Sequence, residues 1–364
     1  MSLDTALKYI IWIFIGGLLL SKLVRRRHEV VLGSKRERWG YGAAIALLIP
    51  LVYWCAVRNT SFGDTGSYRS NFINAPDSLS QFFPYMASRD KDALFYGLNV
   101  IIKSLITTNY KVYFAIIGGI QLLCLGLIYR KYSRDYWISI FLFVASTDYI
   151  AWMFNGMRQF LAAAVAFTAL PFILQKKYIP SILIIFLASR FHQSALLMVP
   201  VVFIVQGKAW NPRTLLLALG TLIAVAFIDE FTGFLDNSLQ DTQYKNVVSD
   251  WQDEFVNDDG TNMLRVLVYA VPTIMAFIWR KKLQDADNPL IHLCVNMSIV
   301  STAIYVISMF TSGIFIGRLP IYCSLYNYIL LPWEIQHFFK KESRLLITIA
   351  LVLFYVAFYV YSYM

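Results

Sequence analysis

Four arginines, one histidine and one aspartate stand where an apolar chain accommodates them least. Arg58 and Asp64 (RNTSFGDTGSY), Arg158 (NGMRQFLAAAVAF), Arg190 and His192 (ASRFHQSALLMVP) and Arg318 (IGRLPIYCSLYNY) all adjoin long apolar runs. Ionisable side chains in such places are costly, and by default they mark function. A guanidinium grips phosphate oxygens through two parallel hydrogen bonds and keeps its charge at any working pH. An imidazole beside such a group can take a proton near neutrality, and a carboxylate in a partly buried site is the rival base. Four arginines at one level carry more charge than Asp64 and the nearby Asp148 can neutralise. A bound anion accounts for the excess.

Each residue also has a plainer reading. Arg158 could pair with Asp148 across a turn between helices, and Arg58 could snorkel to headgroups. Arg318, between Gly317 and Pro320, could mark a helix end. Asp64, flanked by Gly63 and Gly66, could simply shape its loop. His192 could be a satisfied polar group at a hairpin tip, with Ser194 to orient it. Tyr322 and Tyr326 follow Arg318 at i+4 and i+8, hence on its face. They could stack on sugar rings or merely pack.

The elements that position these residues follow from composition. Of 364 residues, 58% are hydrophobic and 15% charged, against about 25% charged in soluble proteins. Mean hydropathy is +0.56. The pattern predicts an all-α, polytopic transmembrane helical bundle forming one membrane domain over 1–364. Spanning runs of about 20 residues fall at 6–24, 41–57, 111–129, 136–154, 155–174, 213–229, 263–280, 289–311, 316–335 and 345–362. Two shorter pieces, 179–189 and 192–206, flank Arg190 as a hairpin too short to fill the bilayer. The loops 22–38, 130–134, 176–177, 208–213, 280–282 and 340–344 hold 20 of the 32 Lys and Arg, which places them in the cytoplasm. The loops 58–92 and 230–262 then face outward. That alternation closes with twelve crossings if 93–107 is interfacial or re-entrant. The net charge of +10 therefore records membrane orientation rather than nucleic-acid binding. Four cysteines inside apolar runs, without metal-ligand spacing, read as buried thiols.

No Walker loop, GxGxxG unit, HExxH, GxSxG or outer-loop DxD occurs. Neither a metal nor a nucleotide cofactor is implied, and any donor is membrane-borne.

In their order, these pieces resemble the EpsG family of Wzy-type polysaccharide polymerases. The matching residues are Arg58 with Asp64 and Tyr68, then Phe95, Tyr96, Leu98 and Asn99. Arg158, Gln159, Ala162 and Ala164 follow, then His192, Ser194, Ala195 and Leu196, and last Arg318 before Tyr322. An expected Asp–Tyr dipeptide is Asp64–Thr65 here, with Tyr68 displaced by three positions. The resemblance implies a GT-C-like membrane glycosyltransferase at the outer face of a bacterial cytoplasmic membrane. Its donor and acceptor would both be undecaprenyl-pyrophosphate-linked oligosaccharides. Catalysis would fall to His192 and Asp64, pyrophosphate binding to Arg58, Arg158, Arg190 and Arg318, and glycan contact to Tyr68, Gln159, Tyr322 and Tyr326. A chain-length regulator and a flippase are the implied protein partners. A lipid-linked oligosaccharide flippase or other transporter, a membrane O-acyltransferase and an O-antigen ligase are the competing classes.

Overall fold

Polar residues between the apolar runs decide where helices begin. Asn109, Asn211, Asn262 and Asn288 each accept the backbone N–H two residues on, and Asp135 that of Ile138. These bonds satisfy donors that a first helical turn leaves open. The computed structural model describes residues 3–146, 148–239, 260–311, 313 and 315–362. Among these the only sheet is one two-stranded hairpin, and helix dominates.

Two compact units make up the chain. The first comprises Met1–Pro171, Ile179–Leu196 and Phe339–Met364; the second comprises Phe172–Tyr178 and Leu197–Phe338.

The first unit opens with α1 (Leu3–Ile11), which passes through a π-helical turn into α2 (Gly17–Leu23). Strands β1 (Arg26–Val31) and β2 (Ser34–Trp39) then pair antiparallel. Their two-residue turn puts Leu32 and Gly33 at φ 53° and 77°, the left-handed pair that suits strand twist. Helices α3 (Tyr41–Val57), α4 (Thr65–Ile73), α5 (Phe82–Ala87), α6 (Ala93–Leu105) and α7 (Tyr110–Tyr132) follow. After them come α8 (Tyr136–Ala145), α9 (Asp148–Phe154) and α10 (Met157–Phe167). The α3–α7 pair is the closest-packed in the unit. On α7, a Cβ at Gly118 would stand 2.6 Å from Cys55 Sγ and one at Gly126 2.7 Å from Leu48 Cδ1. Small residues on one stripe thus let two helices meet without a hydrophobic drive from water.

The chain continues through α11 (Leu170–Leu174) and α12 (Tyr178–Ser189) to a 3-10 turn at Gln193–Leu197. The second unit holds α13 (Met198–Ile204), α14 (Pro212–Ala226), α15 (Ile228–Leu239), α16 (Met263–Ile278), α17 (Arg280–Asp285) and α18 (Pro289–Ser308). It closes with α19 (Ile321–Ser324) and α20 (Asn327–Phe338). Helix α18 is its hub, packed against α14, α16 and α20. The last helix, α21 (Lys341–Tyr361), returns to the first unit against α1 and α8.

Among the described residues, four helices are long and apolar enough to cross a bilayer alone: Tyr110–Tyr132, Met157–Leu174, Pro289–Ser308 and Lys341–Tyr361. The bent pair Pro212–Ala226 and Glu230–Ser238, at 111°, makes a fifth if counted as one. The chain is therefore a helical membrane protein. About twelve crossings do not appear as twelve unbroken helices among the described residues. The run 136–154 divides into α8 and α9, and 316–335 into a 3-10 turn, α19 and α20. Pro320 stands at the second of these breaks, where a missing N–H interrupts a helix. The basic segment 22–38, read as a loop, contains the hairpin. The outward segment 58–92 carries α4 and α5, and most of 230–262 lies outside the described residues.

Candidate functional site

Residues 93–107, read as an interfacial or re-entrant segment, contain helix α6, whose lysine ties it to α4. Lys103 Nζ donates to the carbonyls of Ile73, at 2.6 Å, and Ala75. It thereby closes the C-terminal end of α4, where a cation complements the helix dipole. Behind this clasp Phe95 and Ile102 of α6, Tyr68 and Phe72 of α4, Tyr113 and Phe114 of α7, and Met157 of α10 form one buried cluster. Two arginines border that cluster in different ways.

Arg58 ends α3 and is 9% exposed. Its Nη1 donates to the Met153 carbonyl at 3.2 Å and its Nη2 reaches Met157 Sδ at 3.3 Å. The guanidinium carbon lies 3.9 Å from the Phe114 ring centroid and 5.2 Å from that of Phe154. No carboxylate lies within ion-pair reach among the described residues, and Nε has no hydrogen-bond partner there. The aromatic faces are what hold this cation.

Arg158, one residue into α10, meets a different environment. Its Nη1 donates to Asp92 Oδ2 at 2.7 Å. The guanidinium carbon is 6.0 Å from the Tyr68 ring centroid, and its side chain remains 28% exposed. Asp92 precedes α6 at φ 56°, a left-handed conformation that aspartate tolerates at a cost. Its side chain is 2% exposed. Burial pushes the Asp92 carboxyl above its ordinary value, and Arg158, Lys91 and the Gln193 backbone N–H pull only part of the way back. Burial likewise raises the Tyr68 hydroxyl, with Arg158 opposing.

The backbone N–H of Leu94 donates to the Arg190 carbonyl at 3.1 Å, so the start of α6 is tied to the 188–197 turn. There His192 Nδ1 and Ser194 Oγ lie 2.7 Å apart, and Gln159 Nε2 donates to the same Oγ at 3.3 Å. Gln159 follows Arg158 directly. One run of contacts therefore links Asp92, Arg158, Gln159, Ser194 and His192. Gln121 Nε2, buried on α7, donates to the Met157 carbonyl at 3.0 Å and anchors the start of α10.

Asp64 stands just before α4 and is exposed. Its backbone N–H donates to Asn155 Oδ1 at 2.7 Å. Gly63, at φ 48°, admits that amide: a Cβ there would lie 2.1 Å from Asn155 Oδ1. The Asp64 carboxylate makes no capping bond to α4.

The first unit thus brings together Tyr68, Arg158, Gln159 and His192, with Arg58 across the shared cluster and Asp64 one turn before Tyr68. The Arg190 side chain is exposed. Arg318, Tyr322 and Tyr326 belong to the second unit, where the two tyrosines are 2% and 0% exposed and present no ring face to solvent. Asp92 is the partner the sequence reading missed for Arg158. The side chain of Asp148, the partner considered there, lies outside the described residues. Asp92 stands three residues before Phe95, but nothing local in the sequence marks it as the partner.

A family model described as the EpsG family matches residues 43–364. No curated protein and no solved structure matches the chain.

Proposed function

The chain belongs to the EpsG family, and from that premise we propose that it polymerises polysaccharide repeat units. Membership supports a membrane protein of polysaccharide biosynthesis with glycosyltransferase-like polymerase activity. In the finer reading, a GT-C-like bundle of about twelve crossings works at the outer face of a bacterial cytoplasmic membrane. It moves a growing glycan from undecaprenyl pyrophosphate to the nonreducing end of a fresh lipid-linked unit.

The observation that carries this reading is the meeting of Arg158 with the Gln159–Ser194–His192 chain at one end of α10. In the tautomer with the proton on Nδ1, which gives up the 3.4 Å bond from the Ser194 backbone N–H to that nitrogen, Ser194 Oγ accepts from both Gln159 and His192. That tautomer makes Nε2 the basic nitrogen. Nε2 takes the acceptor hydroxyl's proton as the oxygen bonds to the anomeric carbon. The bond from that carbon to the pyrophosphate oxygen breaks, and the departing charge is stabilised by arginine. Arg158, partly exposed, is the primary contact, with Arg190 and Arg58 as further cations of the same unit. Tyr68 bounds the sugar side of Arg158, and Asp64 is the alternative base. Tyr322 and Tyr326 are buried within the second unit. Neither a metal nor a cofactor enters this scheme. A chain-length regulator and a flippase remain the proposed protein partners.

Purified protein incubated with short lipid-linked repeat units should yield a ladder of products. One-step transfer to a different lipid would indicate a ligase, and translocation without new glycosidic bonds a flippase. For orientation, Ser80→Cys in the segment 58–92 should react with an impermeant thiol reagent in intact spheroplasts. Labelling only after permeabilisation would invert the topology.

A further inference from the structure

Helix α3 separates Arg58 from a second cluster of arginines at its other end. Seventeen residues at 1.5 Å each put roughly 25 Å between the two. There the β-hairpin, the end of α2 and the α7–α8 junction enclose a cavity of about 140 Å³. Ser21, Arg26, Arg38, Arg130, Ser133 and Arg134 line it, with Glu37 and Asp135 as the acidic neighbours.

Arg38 is the anomaly. It is 5% exposed, yet its one hydrogen bond is from Nη1 to the Glu37 carbonyl at 3.3 Å. Nε and Nη2 have no partner among the described residues. The nearby acids are committed elsewhere. Glu29 holds Arg130 with both oxygens. Asp135 caps α8, and the exposed Glu37 faces His28 Nε2 at 3.5 Å. Strand register sets Arg27 directly opposite Arg38, a like-charge pair that weakens a hairpin. Burial brings the Arg38 guanidinium down to about 10, with Arg36 adding to the effect. A buried cation with two open N–H groups is costly without an anion.

We propose that this cavity binds a phosphate group, held by Arg38 with Arg26 and Arg134. The size fits: at about 30 Å³ per water the cavity takes a tetrahedral oxyanion with a few waters. A tetrahedral anion also matches guanidinium forks arriving from separate elements. The phosphate belongs either to an anionic phospholipid headgroup or to free phosphate, and the chemistry of recognition is the same. The site is remote from His192 and is independent of the polymerase reading.

The test uses the full chain in a phosphate-free maltoside detergent at fixed ionic strength, with Tm as the readout. One arm titrates inorganic phosphate and the other phosphatidylglycerol, with chloride as control. A saturable rise in Tm with phosphate assigns free phosphate, and a rise with phosphatidylglycerol alone assigns the headgroup. In either case Arg38→Gln should need about tenfold more ligand for the same shift. If Arg38→Gln does not fold, Arg26→Gln, at an exposed strand position, should need several-fold more. No saturable rise with either ligand, or variants that respond like the wild type, overturns the site.

Discussion

Arg58 and Arg158 border the same aromatic cluster but hold their charge by opposite means. Arg58 is buried between Phe114 and Phe154 and has no carboxylate within reach among the described residues. Arg158 is partly exposed and sits 2.7 Å from Asp92. The first arrangement tolerates a cation without an anion; the second fixes a cation's direction while leaving part of it open. Only the second adjoins, through its chain neighbour Gln159, a hydrogen-bonded path to a histidine. The excess of arginine over acid therefore identifies no binding residue by itself, because each arginine's neighbours decide what its charge can do.

The sharpest way to break this contrast is to remove the histidine from the Arg158 side. His192→Ala should lower turnover by about 10²–10⁴-fold, as removal of a general base does, while lipid-linked donor still binds. Asp64→Asn should retain measurable turnover. The reverse pattern would move the base to Asp64, and a loss under tenfold at His192 would end its assignment.

The second test removes the carboxylate that distinguishes the two arginines. Asp92→Ala leaves Arg158 uncompensated in a largely buried setting, which should cost about 3 kcal/mol, read as a lowered Tm. The pH dependence has a definite sign. Because burial raises the Asp92 carboxyl in the folded protein, its contribution to stability is greatest below the ordinary 3.8. That contribution declines as pH climbs from there through the raised value. Asp92→Asn should flatten this part of the stability profile. An unchanged profile would mean that the pair is solvated.

The third test concerns the arginine without a carboxylate. If Arg58 is mainly a structural cation, Arg58→Met should keep packing against Phe114 and Phe154 and cost no more than about 1.5 kcal/mol. Turnover should then fall less for Arg58→Met than for Arg158→Lys, which keeps the charge but loses the fork. Equal or greater loss at Arg58 would make it a ligand contact.

How much of this was legible beforehand depends on the range over which each signal acts. The helices at 41–57 and 93–107 and the residues Arg158, Gln159, His192 and Ser194 follow from local pattern. The pairing of Arg158 with Asp92 joins residues 66 apart, and one sequence contains nothing that ranks Asp92 above Asp148. The hairpin was hidden because its strands are rich in charge: Val30 and Val31 are too few to alternate, and Gly33 alone signals the turn. The breaks within 136–154 and 316–335 were hidden for the converse reason, since uniform hydrophobicity masks where a helix ends. Lys103 closes α4 by reaching carbonyls 28 and 30 residues away, a range that no local pattern reads.

The smallest effect expected concerns the link between Arg158 and His192. Gln159 Nε2 and His192 Nδ1 converge on Ser194 Oγ. If Ser194 accepts from both, it holds the imidazole in the tautomer whose Nε2 is basic. A neutral hydrogen bond of this kind contributes about 1 kcal/mol. Ser194→Ala should therefore lower turnover only about fivefold. A purely structural serine would lower it through the amount of folded protein, with Tm falling and the pH optimum unchanged. An orienting serine should instead leave Tm nearly intact and displace the acidic limb of the pH–rate profile, because the His192 proton equilibrium has lost a partner. Gln159→Leu should reproduce that displacement more weakly, since it removes one donor to Ser194 and leaves the serine in place. A displaced limb in neither variant would detach His192 from α10 and leave Arg158 to act alone.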